Sequence, residues 1–219
     1  MREGLFILYS ASILFSAVMA LAFRKSIGQR KLIILMPYLF LVFVQELCLH
    51  LGEMFQFFTA NAIVYNIYRP VTVIIFGIIY YQVPIMAPLR RLMLWIIGLY
   101  LLANIITYSF INSVLVLNGH LVMMRGFVIT CLGIFFLFRY FSLDDRREEE
   151  FWRPLLWLSI GVMIFYPVVS ISLTFQKFLA NSDARIAGFR LYNLIPQLLS
   201  IFMYGCFSYA FYLCSRKLS

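Results

Sequence analysis

The stretch "NAIVYNIYRPVTVIIFGIIYYQV", residues 61–83, decides how this chain folds. A helix needs about 20 predominantly apolar residues, at 1.5 Å each, to cross a bilayer's hydrocarbon core, and the stretch is long enough. Its second half is almost wholly apolar, whereas its first half carries Tyr65, Asn66 and Arg69. An arginine at bilayer depth costs about 3 kcal/mol on insertion scales, so it pairs with something or lines a wet cavity. The segment therefore reads as a membrane helix with one polar end, and the rest of the chain repeats the pattern.

Of the 219 residues, 63% are hydrophobic and only 12% charged. Such a composition lies far outside that of a soluble domain and marks an integral membrane protein. The net charge of +9 is first a statement about loop orientation, and nucleic-acid binding is not expected from it. The cysteines Cys48, Cys131, Cys206 and Cys214 all sit in apolar stretches without metal-ligand spacing, so they read as packing residues. The start, "MREGLFILYSASILFSAVMALAF", has the look of a signal peptide. However, Glu3 offsets Arg2 and the positive "RKSIGQRK" follows at once, which suits a first span with a positive stop.

Seven segments have spanning length, at approximately residues 4–23, 32–53, 61–83, 92–117, 120–142, 154–176 and 187–214. The expected fold is all-α, one transmembrane bundle over residues 1–219, with connections too short for a further folded module. Arg24, Lys25, Arg30 and Lys31 fill the first connection, Arg90 and Arg91 the third, Arg146, Arg147 and Arg153 the fifth, and Arg216 and Lys217 the tail. The positive-inside rule places these segments in the cytoplasm and the N-terminus outside.

With that orientation, the intramembrane polar residues gather in the outer halves of the spans. Residues three, four or seven apart share a helix face. Glu46, His50 and Glu53 do so in span two, Asn66 and Arg69 in span three, and Tyr100, Asn104, Tyr108 and Asn112 in span four. Arg190, Asn193 and Gln197 follow suit in span seven. If these faces turn inward they converge on a pocket open to the outside, lined by Glu46, His50, Tyr65, Asn66, Arg69, Tyr108, Asn112, Arg125, Arg190, Asn193 and Gln197. Glu46 and Arg69 lie at matching depth, which makes them the natural ion pair. Arg125 and Arg190 leave an excess of positive charge that an anionic ligand would balance. The competing reading is a polar network that only holds helices together. His50 and His120 lie near enough to the outer surface to respond to external pH. Pro37, Pro70, Pro167 and Pro196 are expected to kink their spans.

No catalytic set is visible. Two outward histidines do not make an intramembrane metal site, no nucleophile motif occurs, and the last span has no lysine before Lys217 to carry a retinal. Neither an enzyme nor a cofactor is expected. "YNIYRP" in span three and "YNLIP" in span seven share a Tyr-Asn step before a proline, as a three-plus-one-plus-three transporter repeat would.

A glutamate late in span two, "YNIY" in span three, "EEEFWRPLLWLSIGVMIFY" leading into span six and "YNLIPQLLSIFMYGCFSYAF" in span seven form an ordered set. In these the chain resembles a family of uncharacterised small bacterial seven-span proteins that look like free-standing membrane regions of sensor histidine kinases. The acidic residue usual after the "NIY" element is replaced here by "RPVTV". The resemblance implies signal reception in a bacterial inner membrane; together with the polar pocket, the expectation is a sensory or receptor-like protein that binds a small anionic or amphipathic ligand and hands the signal to a protein partner. The cytoplasmic loops, "DDRREEEFWRP" above all, are the expected contact. Membrane lipids and a second copy of the chain are the other expected partners. A solute transporter and a structural subunit of a membrane complex are the alternatives.

Overall fold

A computed structural model describes residues 2–54, 61–111, 113–116, 118–175, 185–186 and 189–216, without the side chains of residues 2–3, 53–54, 61, 185–186, 189–190 and 192–193. The helices are α1 (Arg2–Ala22), a short α2 (Arg24–Gln29), α3 (Leu35–Met54), α4 (Asn61–Tyr81), α5 (Arg90–Ile106), α6 (Gly119–Tyr140), α7 (Arg146–Thr174) and α8 (Leu191–Ser215). A 3-10 turn, Pro84–Leu89, leads into α5, and a π-helical turn, Thr107–Ile111, ends it. Among the described residues, seven helices are long and apolar enough to cross a membrane, the layout of a multi-pass membrane protein.

Several boundaries differ from the sequence expectation. The sixth span starts at Arg146 instead of residue 154, because Asp145 accepts a hydrogen bond from the Arg147 amide and caps the helix. Glu148 and Glu149 in the first turn suit the positive end of the helix dipole, so the "loop" charges are helical. The fourth span ends at Ile111 rather than residue 117. The seventh begins at Leu191, after a two-residue antiparallel ribbon, β1 (Arg185–Ile186) with β2 (Phe189–Arg190). Pro37 also departs from expectation: it sits in the first turn of α3, where its missing N–H would have had no helical partner, so it has no ladder bond to break. Pro70, Pro167 and Pro196 do lie inside their helices.

The most extensive contacts run α6 to α7, α7 to α8, α8 to α1 and α1 to α3, and α4 closes the ring against α6. Contact between α3 and α4 is slight, and α5 lies outside α4 and α6. Only Met93, Tyr100 and Asn104 of α5 are buried, while Trp95 is 71% exposed. In the core, Phe76, Phe136, Phe207 and Phe211 are fully buried. Close helix approach depends on glycine, as is common between membrane helices. A Cβ on Gly126 of α6 would lie 2.1 Å from Ser170 Oγ of α7, and one on Gly161 of α7 would lie 2.9 Å from Cys206 Cβ of α8.

One end of the bundle is basic. At the end holding the α1–α2 link, Arg30 Nη1 donates to the carbonyls of Glu150 (3.2 Å) and Phe151, with its guanidinium 5.0 Å from the Phe151 ring centre. Burial lowers the Arg30 pKa from its ordinary value. Lys31 Nζ donates to the Gln82 carbonyl and Arg139 Nε to that of Ile85. These basic groups saturate carbonyls of neighbouring segments and knit this basic end together.

Candidate polar site within the bundle

Arg69 and Asn66, one helical turn apart on α4, are each only 3% exposed. Arg69 Nη1 donates to Asn66 Oδ1 at 2.9 Å. Asn66 Nδ2 uses both its hydrogens on the carbonyls of Val114 (2.7 Å) and Val116 (3.0 Å). Asn66 thus fixes the guanidinium and at the same time ties down the turn between α5 and α6, which explains why the fourth span ends early.

Arg125 of α6 is 7% exposed and stands over the Tyr166 ring of α7 at 5.4 Å. It is close enough to Arg69 for the two charges to repel, and Tyr100 and Tyr108 complete the surroundings of Arg69. Among the described residues, Arg125 Nε is buried without a hydrogen-bond partner, while the Tyr108 hydroxyl lies against the Arg69 guanidinium and the Tyr100 hydroxyl beside Asn104. Asn104 is turned back on its own helix, donating to the Tyr100 carbonyl at 2.8 Å. Two mutually repelling guanidiniums, with a buried Nε unpartnered among the described residues, make this part of the bundle electropositive.

Glu46 of α3 belongs to a second group. Tyr9 of α1 hydrogen-bonds to it, and Tyr65 and Tyr204 lie within electrostatic range of the pair. Tyrosines join the two groups. The Tyr38 and Tyr68 hydroxyls are hydrogen-bonded, Tyr38 reaches Thr72 Oγ1 at 3.5 Å, and Tyr166 lies near Tyr38, Tyr204 and Arg125. Beneath this chain Phe76 meets Tyr38 and Tyr166 edge-on, at 6.1 and 5.9 Å between ring centres, and Phe207 at 6.4 Å. These rings form an apolar floor. Beyond it the Tyr80 and Ser159 hydroxyls bond to each other, and Ser159 Oγ donates to the Leu155 carbonyl.

Of the residues proposed from sequence, Asn66, Arg69, Tyr108 and Arg125 come together, and Glu46 and Tyr65 form the neighbouring group. His50 is stacked on Phe6 of α1, 3.7 Å between ring centres. Gln197 is half-buried on α8, and His120 is exposed at the start of α6. Asn112 and the side chains of Glu53, Arg190 and Asn193 lie outside the described residues. The sequence reading did not count Tyr9, Tyr38, Tyr68, Tyr166 and Tyr204, whose signal was one tyrosine or more on nearly every span. Among the described residues no cluster of His, Cys, Asp or Glu is arranged to hold a metal.

Compared with protein-family models, with curated proteins and with solved structures, the chain matches none.

Proposed function

We propose that the chain is a sensory membrane protein of the bacterial inner membrane that binds a small anionic or amphipathic ligand at Arg69 and Arg125 and signals through a partner protein. One observation carries the reading: two buried, mutually repelling guanidiniums, one of them with an Nε that has no hydrogen-bond partner among the described residues. Packing alone gives no reason to assemble such a set, whereas a carboxylate, phosphate or sulfate group would accept from all of it. The resemblance to kinase sensor regions points the same way. By the positive-inside rule the basic end faces the cytoplasm and the site opens outward. The exposed charges of the first turns of α7, Arg146 to Glu150, then offer the partner its surface.

A transporter needs a path through to the other side, and the floor of Phe76 and Phe207 favours a single door. Native mass spectrometry of the purified protein, followed by extraction, is the test. A bound anion or anionic lipid that is absent from both Arg69→Ala and Arg125→Ala supports the reading. Wild-type protein that shows no stabilisation across a panel of phosphate, sulfate and fatty-acid anions sinks it, and anion flux into reconstituted vesicles would replace it with transport.

A further inference from the structure

Three cations converge on the connection between α4 and α5. Lys31 Nζ donates to the Gln82 carbonyl at 3.2 Å, Arg90 Nε to that of Tyr81 at 3.0 Å and Arg139 Nε to that of Ile85 at 3.1 Å. They come from the α2–α3 link, the start of α5 and the end of α6, so it is the tertiary fold that gathers them. Helix capping accounts for part of this, because the carbonyls at the end of α4 carry the negative end of its dipole. It leaves most of the donors over. Each arginine spends only its Nε, and the planar Nη edge, the fork that pairs with phosphate oxygens, has no partner among the described residues. Arg30 is the contrast, buried with its Nη1 committed to two carbonyls.

Lys31 adds an independent observation. Its amide donates to the Gly28 carbonyl and the Leu32 amide to that of Ile27, the bonding pattern of a Schellman end to α2 with Lys31 at the left-handed position, φ 61°. Glycine fits there without steric cost and lysine does not. The chain therefore holds a lysine, at a cost in backbone strain, where its ammonium reaches the α4–α5 connection.

No carboxylate balances the group. Among the described residues none forms an ion pair with Lys31, Arg90 or Arg139. Between Arg24 and Arg91 the acids are Glu46 and Glu53, both on α3, the nearer about 16 Å along it from Leu35. The connection falls between the spans Ala62–Tyr81 and Pro84–Ile111, at the border of the membrane, and the exposed Tyr81 ring lies 5.0 Å from the Arg90 guanidinium. Cations at that level face lipid headgroups. A zwitterionic headgroup brings a cation of its own, which the group repels, whereas a net-anionic one brings its phosphate alone. We infer that Lys31, Arg90 and Arg139 bind the phosphate of an anionic phospholipid in the leaflet at the basic end of the bundle. This site is separate from the buried arginine pair, since α4 runs about 18 Å from Arg69 to Tyr81.

Native mass spectrometry of the full chain, in detergent with phosphatidylglycerol and phosphatidylcholine of matched acyl chains, measures the preference. Phosphatidylglycerol should bind the more tightly, and Arg90→Gln and Arg139→Gln should each cut the preference about fivefold. Lys31→Gly should do the same while leaving the protein as stable as wild type or more so, because it relieves the left-handed residue. Arg216→Gln, which removes the same charge from the end of α8 across the ring from α4, should leave the preference within twofold, and so should Arg69→Ala. Absence of a preference for phosphatidylglycerol, or a preference unchanged in the three site variants, overturns the proposal. A loss as large in Arg216→Gln or Arg69→Ala overturns it too, as does displacement of phosphatidylglycerol by inorganic phosphate at equal concentration, which would make this a site for a soluble anion.

Discussion

Replacing Arg125 by methionine separates a ligand site from a helix-packing network, because the two readings predict stability changes of different size. Removing one partner of a satisfied buried charge pair costs about 3–5 kcal/mol, whereas exchanging a buried charge for a packed apolar side chain is neutral or stabilises by about 1–4 kcal/mol. Arg125 has an orphan Nε, a repelling neighbour in Arg69 and one favourable described contact, the Tyr166 ring. That cation–π contact is worth about 1–2 kcal/mol when desolvated. The expected net effect of Arg125→Met on the empty protein therefore runs from about 2 kcal/mol less stable to about 3 kcal/mol more stable, against a loss of about 3–5 kcal/mol on the packing expectation. Reversible unfolding in bicelles, by denaturant titration, resolves that gap.

The same variant should lose its response to ligand. Wild-type stability should rise with anion concentration by about 2.7 kcal/mol at a hundredfold excess over Kd, while Arg125→Met should stay flat. A variant at least 3 kcal/mol less stable than wild type in anion-free buffer refutes the reasoning and makes Arg125 structural.

Asn66→Ala removes the hydrogen bonds to the Val114 and Val116 carbonyls and should cost about 1–3 kcal/mol, with faster amide exchange confined to residues 113–116; unchanged exchange there would count against the latch. Gly126→Ala drives a Cβ into Ser170 Oγ and should destabilise by about 1–3 kcal/mol, part of which Ser170→Gly restores in a double-mutant cycle. In a background lacking the native cysteines, Asn118→Cys should react with an impermeant maleimide in intact cells and Ser142→Cys only after lysis; the reverse pattern inverts the orientation. Arg30→Ala should leave anion binding within twofold of wild type yet speed amide exchange at residues 146–151; a change in affinity would contradict the separation of the two ends.

Seven spans were legible because hydropathy summed over some 20 residues outweighs any local ambiguity. The polar stripes were legible too: Asn66 and Arg69 share a face and a hydrogen bond, and Tyr100 and Asn104 are joined along theirs. Helical period fixes a face on each helix but says nothing of the order of helices around the ring. For that reason depth alone matched Glu46 to Arg69, whereas the structure sets Glu46 with Tyr9, Tyr65 and Tyr204 and sets Arg69 with Arg125, Tyr100 and Tyr108. The first turns of α7 were read as a loop because charge at a membrane border looks the same in a loop and in a capped helix. The tyrosine chain escaped notice because tyrosine also serves as a lipid-facing or core residue, and only packing distinguishes these roles.

On the proposed reading, α7 is the element that carries occupancy of the site to the far end. Arg125 leans on Tyr166, and the adjoining Gly126 leaves no free volume against Ser170, so a shift of α6 toward a bound anion presses on α7 instead of being absorbed in slack packing. Helices packed this closely respond by rigid displacement or rotation. From Tyr166, α7 continues to Arg146, where Arg30 holds the Glu150 and Phe151 carbonyls. Pro167 and Pro154 fall along its length, each with a missing ladder bond at which a small change in bend costs little. A push beside the first of these therefore moves the charged turns beyond the second, the part of α7 that a partner would meet.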